Sequence, residues 1–455
     1  MSSTSQAPPR QRFDPGSITT FRFVSRSLDA AGLVCLRYAL DDVHEFEERI
    51  RLPRPVAAPP ADSQTIEGLL DLLHWVAGVS YYKAAAPPYV SCESGSPPPE
   101  ARALLDALYS EGLGEFAAVN DLPIPRPAFP IRARAPIAAT TAPLRRVLVP
   151  VGGGKDSAVA IEIVRRSGLQ PTLFSIGSAP PIAGTVRVAE LPWLLARRTI
   201  DPYLLACNRA GALNGHVPVT AIVACAGLLT AALAGIEAVA LANERSASSP
   251  NTVHDGVEIN HQFSKSARAE RLLSAAAGEV PGAPALFSVL RPASELGIAR
   301  AFAGMPRYHP VFTSCNRVFR IDPARRAGSW CLDCDKCAFV FLVLAPFMDP
   351  DALREIFGAD LLADERQYDR FASLTGTGAH RPFECVGEER ESVAATALLA
   401  GDPRWSEHPV VRRLAREVLP RFDPRDADPA AILALGEQHS VPRELIGAVG
   451  AVLGA

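Results

Sequence analysis

Three groups of residues in this chain have the types and spacing that chemistry requires. The first is Gly152, Gly153, Gly154, Lys155, Asp156 and Ser157, which join an apolar run over 147–151 to a helical pattern beginning at Ala158. Glycines let backbone N–H groups turn inward without Cβ obstruction, and a helix start behind them adds the positive end of a dipole. Such a loop cradles polyphosphate. A Walker A loop needs a glycine five positions before its Gly-Lys pair and Ser or Thr directly after the lysine; Val149 and Asp156 hold those places, which excludes it. The second group is Asn243, Glu244 and Arg245, directly after the strand-like run 237–241. Arg245 can form a two-pronged pair with a carboxylate or phosphate, and Asn243 and Glu244 can orient a ligand or a metal-bound water. The third is Cys331, Cys334 and Cys337 with Cys315 upstream. Four thiolates match tetrahedral zinc, and an iron–sulfur cluster is chemically possible.

Histidines and one lysine gather in mid-chain: His216, His254, His261, Lys265 and His309. Imidazole titrates near neutrality, so any of these could act as a general base; His254 and His261 are favoured because they follow the 243–251 loop. Cys35, Cys92, Cys207, Cys225 and Cys385 read as packing thiols.

The elements that must position these groups are legible from periodicity. From Leu144 the pattern alternates strand (147–151), helix (158–167), strand (172–176), helix (219–234), strand (237–241), helix (264–277) and strand (285–290). That alternation predicts an α/β fold with a doubly wound, mainly parallel sheet, whose ligands bind at the carboxyl ends of the strands. Upstream, period-two spacing of Phe21/Phe23, Val34/Leu36/Tyr38 and Phe46/Ile50 predicts a small antiparallel sheet, followed by a helix from Ser63. The expected organisation is a disordered tail (1–16), an N-terminal α+β domain ending in a Pro-rich linker (17–143), the catalytic domain with the cysteine cluster (144–348), and a C-terminal helical region (349–455).

Composition excludes some classes. A net charge of −3 with 48% apolar and 21% charged residues describes a globular protein without the basic excess of a nucleic-acid binder. The N-terminus lacks a signal peptide's basic start and apolar middle, and the apolar stretch 217–241 is interrupted by Gly227, Gly235 and Glu237, so neither export nor a membrane span is expected. Nine unevenly spread cysteines do not make a secreted disulfide framework, which points to the cytoplasm.

The glycine loop resembles the PP-loop of the ATP pyrophosphatases, Ser-Gly-Gly-x-Asp-Ser, in which ATP is cut between its α and β phosphates; Gly152 stands where that pattern has its first serine. One distant and three close cysteines are similar to the structural zinc site of 7-cyano-7-deazaguanine synthases, which are PP-loop enzymes. Longer runs look like one family: Ala242-Asn-Glu-Arg-Ser-Ala-Ser-Ser-Pro-Asn251, Glu258-Ile-Asn-His-Gln-Phe-Ser-Lys265, Ser329-Trp-Cys-Leu-Asp-Cys-Asp-Lys-Cys337 and Arg381-Pro-Phe-Glu-Cys-Val-Gly387. They resemble the ATP-dependent UDP-N-acetylmuramoyl-L-alanyl-L-glutamate epimerases of peptidoglycan synthesis, over about residues 17–399. That resemblance implies ATP and Mg²⁺ as cofactors, with Asp156 a metal partner, a UDP-linked muramoyl dipeptide as substrate, and inversion of its terminal glutamate through an adenylated carboxylate. Lys155, Asp156, Arg245, His254, His261 and Lys265 are the expected catalytic residues. Two rivals use the same loop: a PP-loop ligase or thiolating enzyme acting on tRNA or a small carboxylate, and a non-enzymatic nucleotide-binding regulator. Thiolation needs a reactive cysteine free of metal, and the sequence displays none.

Overall fold

The alternation upstream of residue 52 folds as three antiparallel strands, β1 (Thr20–Leu28), β2 (Leu33–Leu40) and β3 (His44–Arg51), in a computed structural model that describes residues 12–53, 62–133, 143–320, 324, 326–378 and 383–454. Phe21, Phe23, Val34, Leu36, Tyr38, Phe46 and Ile50 are buried, as the period requires. Gly32, at φ +84°, makes the turn into β2. A fourth strand, β4 (Tyr89–Cys92), runs parallel to β1, and the helix Ser63–Ala77 packs on this sheet. Of the expected N-terminal tail, residues 1–11 lie outside the described residues, while Phe13 is buried beside His44. Much of the Pro-rich segment, 134–142, also lies outside them.

The strand–helix alternation from Leu144 gives five parallel strands: β5 (Arg146–Pro150), β6 (Gln170–Ile176), β7 (Trp193–Thr199), β8 (Ala238–Leu241) and, after a separate hairpin of β9 (Thr252–His254) with β10 (Val257–Ile259), β11 (Ala285–Ser288). Their order is β11-β8-β5-β6-β7. Strand order reverses between β5 and β8, so the crevice at the carboxyl ends of these two neighbours is where a ligand is expected. Val147 and Val149 face one core, with the helix Lys155–Arg166; Leu148 faces the other, with the helix Val219–Ala234. That second helix is apolar all round because it is covered on nearly every side. Among the described residues no helix is long and apolar enough to cross a membrane.

The antiparallel and parallel strands form one nine-stranded mixed sheet, since β3 pairs with β7 through Arg49↔Thr199, Ile50↔Arg198 and Arg51↔Arg197. Sequence periodicity misses β7 because its Arg197 and Arg198 break the apolar pattern. Arg198 is tolerated there because Glu48 of β3, fully buried, accepts two of its N–H bonds at 2.7 and 2.9 Å.

Several boundaries differ from the expected ones. The helix expected from Ala158 starts at Lys155, so Lys155, Asp156 and Ser157 form its first turn rather than part of the loop. The helix expected from Ser264 starts at Ala267, where Ser266 accepts the Ala269 N–H at 3.1 Å and ends a short turn over Phe263–Lys265. The last parallel strand stops at Ser288 instead of Leu290. In the C-terminal region the helices Pro350–Phe357, Glu389–Ala400, Pro409–Glu417 and Arg443–Leu453 join the core that holds Lys155–Arg166.

Candidate active site

The loop after β5 is built for close approach. Gly153 has φ +82°, and a Cβ there would come within 2.7 Å of the backbone at Pro181 and Ile182, so a side chain is excluded. Gly154 is the N-cap of Lys155–Arg166 and offers no side-chain cap, which leaves the first helical N–H groups to a ligand or solvent. The Gly152 N–H donates to Ser157 Oγ at 2.9 Å. A Cβ at Gly152 would meet nothing nearer than Ser157 Oγ, at 3.8 Å, so the serine of the usual pattern is missing for no steric reason. The Thr313 N–H donates to the Gly153 carbonyl at 3.1 Å and makes the loop's other wall.

Beside this loop lies a buried charge cluster. Lys155 pairs with Asp156 and with Glu295, which leads the helix Glu295–Ala303 after β11. Burial opposes its charge, but the two carboxylates outweigh that and hold Lys155 protonated well above the ordinary lysine range. Burial likewise works against ionised Asp156, and Lys155 and Lys336 overcome it, so Asp156 is held below its ordinary value. Glu244, at the end of β8, is raised by burial and by Glu295. Both of its buried carboxylate oxygens lack a hydrogen-bond partner. Asp156, Glu244 and Glu295 each present an oxygen within 4.8 Å of the others. Glu391, from the C-terminal helix Glu389–Ala400, accepts the Glu295 N–H at 2.8 Å and the Ser246 hydroxyl at 2.7 Å. Burial and Glu295 push it up to about 7.

Among the residues expected to act, Lys155, Asp156 and Glu244 thus meet at the switch point, and Asn243, next to Glu244 in the chain, is buried. Arg245 turns away: its guanidinium donates to the Ile432 and Ala434 carbonyls at 3.0 and 3.2 Å and ties the C-terminal segment down. The buried Arg291, which no motif marks, instead bonds the Glu244 and Lys265 carbonyls and pairs with Glu270 at 2.7 Å. His254 sits on the β9–β10 hairpin with Nε2 2.9 Å from the Leu122 carbonyl, and His309 bonds the Phe302 carbonyl at 3.1 Å.

His261 belongs to a different constellation. Its Nδ1 is hydrogen-bonded to Glu115, on the short N-terminal helix Gly114–Val119, and its ring also bonds the Cys385 side chain. Burial disfavours imidazolium, but Cys385 and Glu115 reverse this and raise His261 to about 9. Burial disfavours the Cys385 thiolate, but Lys265, the His261 hydrogen bond and Lys336 bring the thiol down to about 7. His216, with its ring centroid 4.4 Å from that of His261, is pushed down to about 4 by burial and the His261 charge. The Cys385 thiol thus sits among cationic neighbours, a setting that lowers a thiol's pKa. The Arg381–Gly387 run was its only signal, and 379–382 lie outside the described residues.

The four cluster cysteines converge. The Cys334 and Cys331 sulfurs lie 3.5 and 3.8 Å from that of Cys337, and each of the four sulfurs is within 4.8 Å of the others. All nine cysteines are unbridged. The cluster positions its neighbours: Ser314 borders Gly154, and Lys336, between Cys334 and Cys337, reaches the Cys385 carbonyl and stands 3.7 Å from Glu295.

Comparison with known proteins matches residues 12–288 to the model of the MurL N-terminal domain and residues 311–428 to that of the MurL C-terminal domain. Curated relatives named UDP-N-acetyl-alpha-D-muramoyl-L-alanyl-L-glutamate epimerase are similar over nearly their whole length. The protein of Xanthomonas oryzae pv. oryzae is 42% identical, covering 95% of this chain and 97% of its own. That of Micromonospora sp. is 45% identical (93% and 96%), and that of Salinispora tropica 43% identical (95% and 96%). No solved structure matches.

Proposed function

The chain belongs to the MurL family, and from that premise we propose that it inverts the terminal L-glutamate of UDP-N-acetylmuramoyl-L-alanyl-L-glutamate to D-glutamate, with ATP as co-substrate, in peptidoglycan precursor synthesis. Removing a Cα hydrogen beside a carboxylate would add negative charge to an anionic group. Adenylation of that carboxylate cancels its charge and acidifies the adjacent C–H. Deprotonation on one face, reprotonation on the other and hydrolysis then yield the D form, AMP and pyrophosphate. The uncapped N–H groups of the loop would hold the phosphates.

One observation carries this reading beyond the family likeness: Glu244 is buried at the switch point with both carboxylate oxygens unpartnered. Ionised, a carboxylate left so costs several kcal/mol, which a proton or a bound cation relieves, and a cation relieves it without giving up the negative charge. Together with Asp156 and Glu295 it offers the hard oxygen donors that suit Mg²⁺; these three residues would hold the ion, which would neutralise phosphate charge there. Lys155 pairs with both Asp156 and Glu295 and helps to hold Asp156 in the charged form.

With UDP-N-acetylmuramoyl-L-alanyl-L-glutamate, ATP and Mg²⁺ in deuterated water, the protein is expected to give D-glutamate deuterated at Cα, with AMP and pyrophosphate. Retention of the L form with formation of ADP would overturn the reading.

A zinc ion suits the four cysteines. Four thiolates at about 2.3 Å around one ion lie roughly 3.8 Å apart, and the sulfur separations of 3.5 and 3.8 Å agree. Elemental analysis of purified protein is expected to find zinc, at about one ion per chain. Absence of both zinc and iron would return the cysteines to a packing role.

A further inference from the structure

Deprotonating an activated glutamyl Cα calls for a group with a free lone pair at neutral pH, close to the phosphate loop. Three expected donors or bases fail or stand apart. Lys265 is kept as ammonium, with no lone pair, because Cys385, Glu244, Asp156 and Glu295 outweigh the cost of its burial. The charged His261 has no lone pair to offer: Glu115 holds it at Nδ1 and the Cys385 side chain also bonds the ring. His254 lies on the hairpin against Leu122.

We propose that the Cys385 thiolate, ion-paired with the His261 imidazolium and oriented through it by Glu115, is the base that removes the glutamyl Cα proton. This rests on the epimerase reading above. The backbone of the cysteine segment is tied to the charge cluster beside the loop through two short links. The Cys385 carbonyl accepts the Lys336 ammonium, and Lys336 stands 3.7 Å from Glu295, the partner of Lys155. The neighbouring Val386 carbonyl accepts the Gln262 amide at 3.1 Å, which locks the cysteine segment to the one bearing His261 and Lys265. Gly387 completes the seat, since a Cβ there would strike Glu391 and come within 2.8 Å of Phe339. A base oriented by a third group is the usual device for readying a thiol.

In the step itself the Cα–H proton passes to the sulfur, forming S–H, and the C–H electron pair moves into the carbonyl of the adenylated carboxyl as an enolate. Solvent supplies the proton to the opposite face, and the thiol returns its proton to solvent, so the cycle balances. The charged and titratable groups around the pair are Glu115, His216, Lys265 and Lys336. The competent ion pair exists above about 7, where the thiol ionises, and below about 9, where the imidazole loses its proton.

The full-length Cys385→Ser variant, assayed in deuterated water with the dipeptide substrate, ATP and Mg²⁺, tests this. Deuterium incorporation is expected to fall about 10²–10⁴-fold relative to pyrophosphate release, with the L form returned alongside AMP. In the unaltered protein, iodoacetamide should alkylate Cys385 with a midpoint near pH 7, and His261→Gln should move that midpoint upward. Exchange in Cys385→Ser undiminished relative to pyrophosphate release, a midpoint unmoved by His261→Gln, or a covalent substrate adduct on Cys385 in intact-mass analysis would each overturn the proposal and leave the epimerase reading standing. Absence of D-glutamate from the unaltered protein would sink that reading itself, and this proposal with it.

Discussion

Asp156→Ala is expected to lower substrate-dependent pyrophosphate release by on the order of 10³-fold, since a metal clamp on a transferring phosphoryl group contributes several kcal/mol and each 1.36 kcal/mol is tenfold in rate. Asp156 is the carboxylate of the cluster that stands in the first turn of the loop's own helix, and Lys155 and Lys336 keep it ionised against burial. The fold should survive, because Lys155 keeps Glu295 as partner when Asp156 is lost. Circular dichroism would check this, and pyrophosphate release would report the chemistry. Turnover within a few-fold of the unaltered protein would remove Asp156 from the reaction. Restoring part of the rate with excess Mg²⁺ would separate weakened metal binding from lost orientation.

Glu48→Ala is expected to destabilise the protein by about 3–5 kcal/mol, because it leaves the Arg198 guanidinium uncompensated between two strands. Glu48 is fully buried, and Arg198 donates to it twice and to Ser80 Oγ at 2.9 Å. This pair lies where β3 meets β7, the join between the antiparallel and parallel parts of the sheet. The double variant Glu48→Leu/Arg198→Met should recover most of the loss, since an apolar pair of similar volume costs little in such a place. Urea unfolding reads both variants. Equal stability of the single and double variants would show that the charges contribute no more than their volume.

Local sequence carried much of this architecture. The alternating strands, the helix Val219–Ala234 and the glycine loop followed from side-chain period and turn chemistry, because each depends on residues a few positions apart. The rule that parallel strands present ligand sites at their carboxyl ends led to Glu244, which the structure has close to Asp156 of the loop's helix. Arg245 failed the same reasoning, since nothing local tells whether a side chain after a strand points into the crevice or back toward Ile432. Strand β7 was hidden because its arginines obey no apolar period, and only Glu48, far upstream, makes Arg198 acceptable there.

The sequence by itself determined the α/β class, the glycine loop, the cysteine cluster and the family, which are written in local runs and patterns. Only the tertiary structure decided which groups carry charge where. Glu115 and His261 are 146 residues apart and touch because the helix Gly114–Val119 packs, at Gly114, against Ile259 at the end of β10. Glu295 and Lys155 meet because β11 and β5 flank β8 in one sheet. The acidity of Cys385 follows from positive charges brought in from positions 261, 265 and 336. A side chain's protonation depends on burial and on neighbours in space, and neither is a property of the residues beside it in the chain.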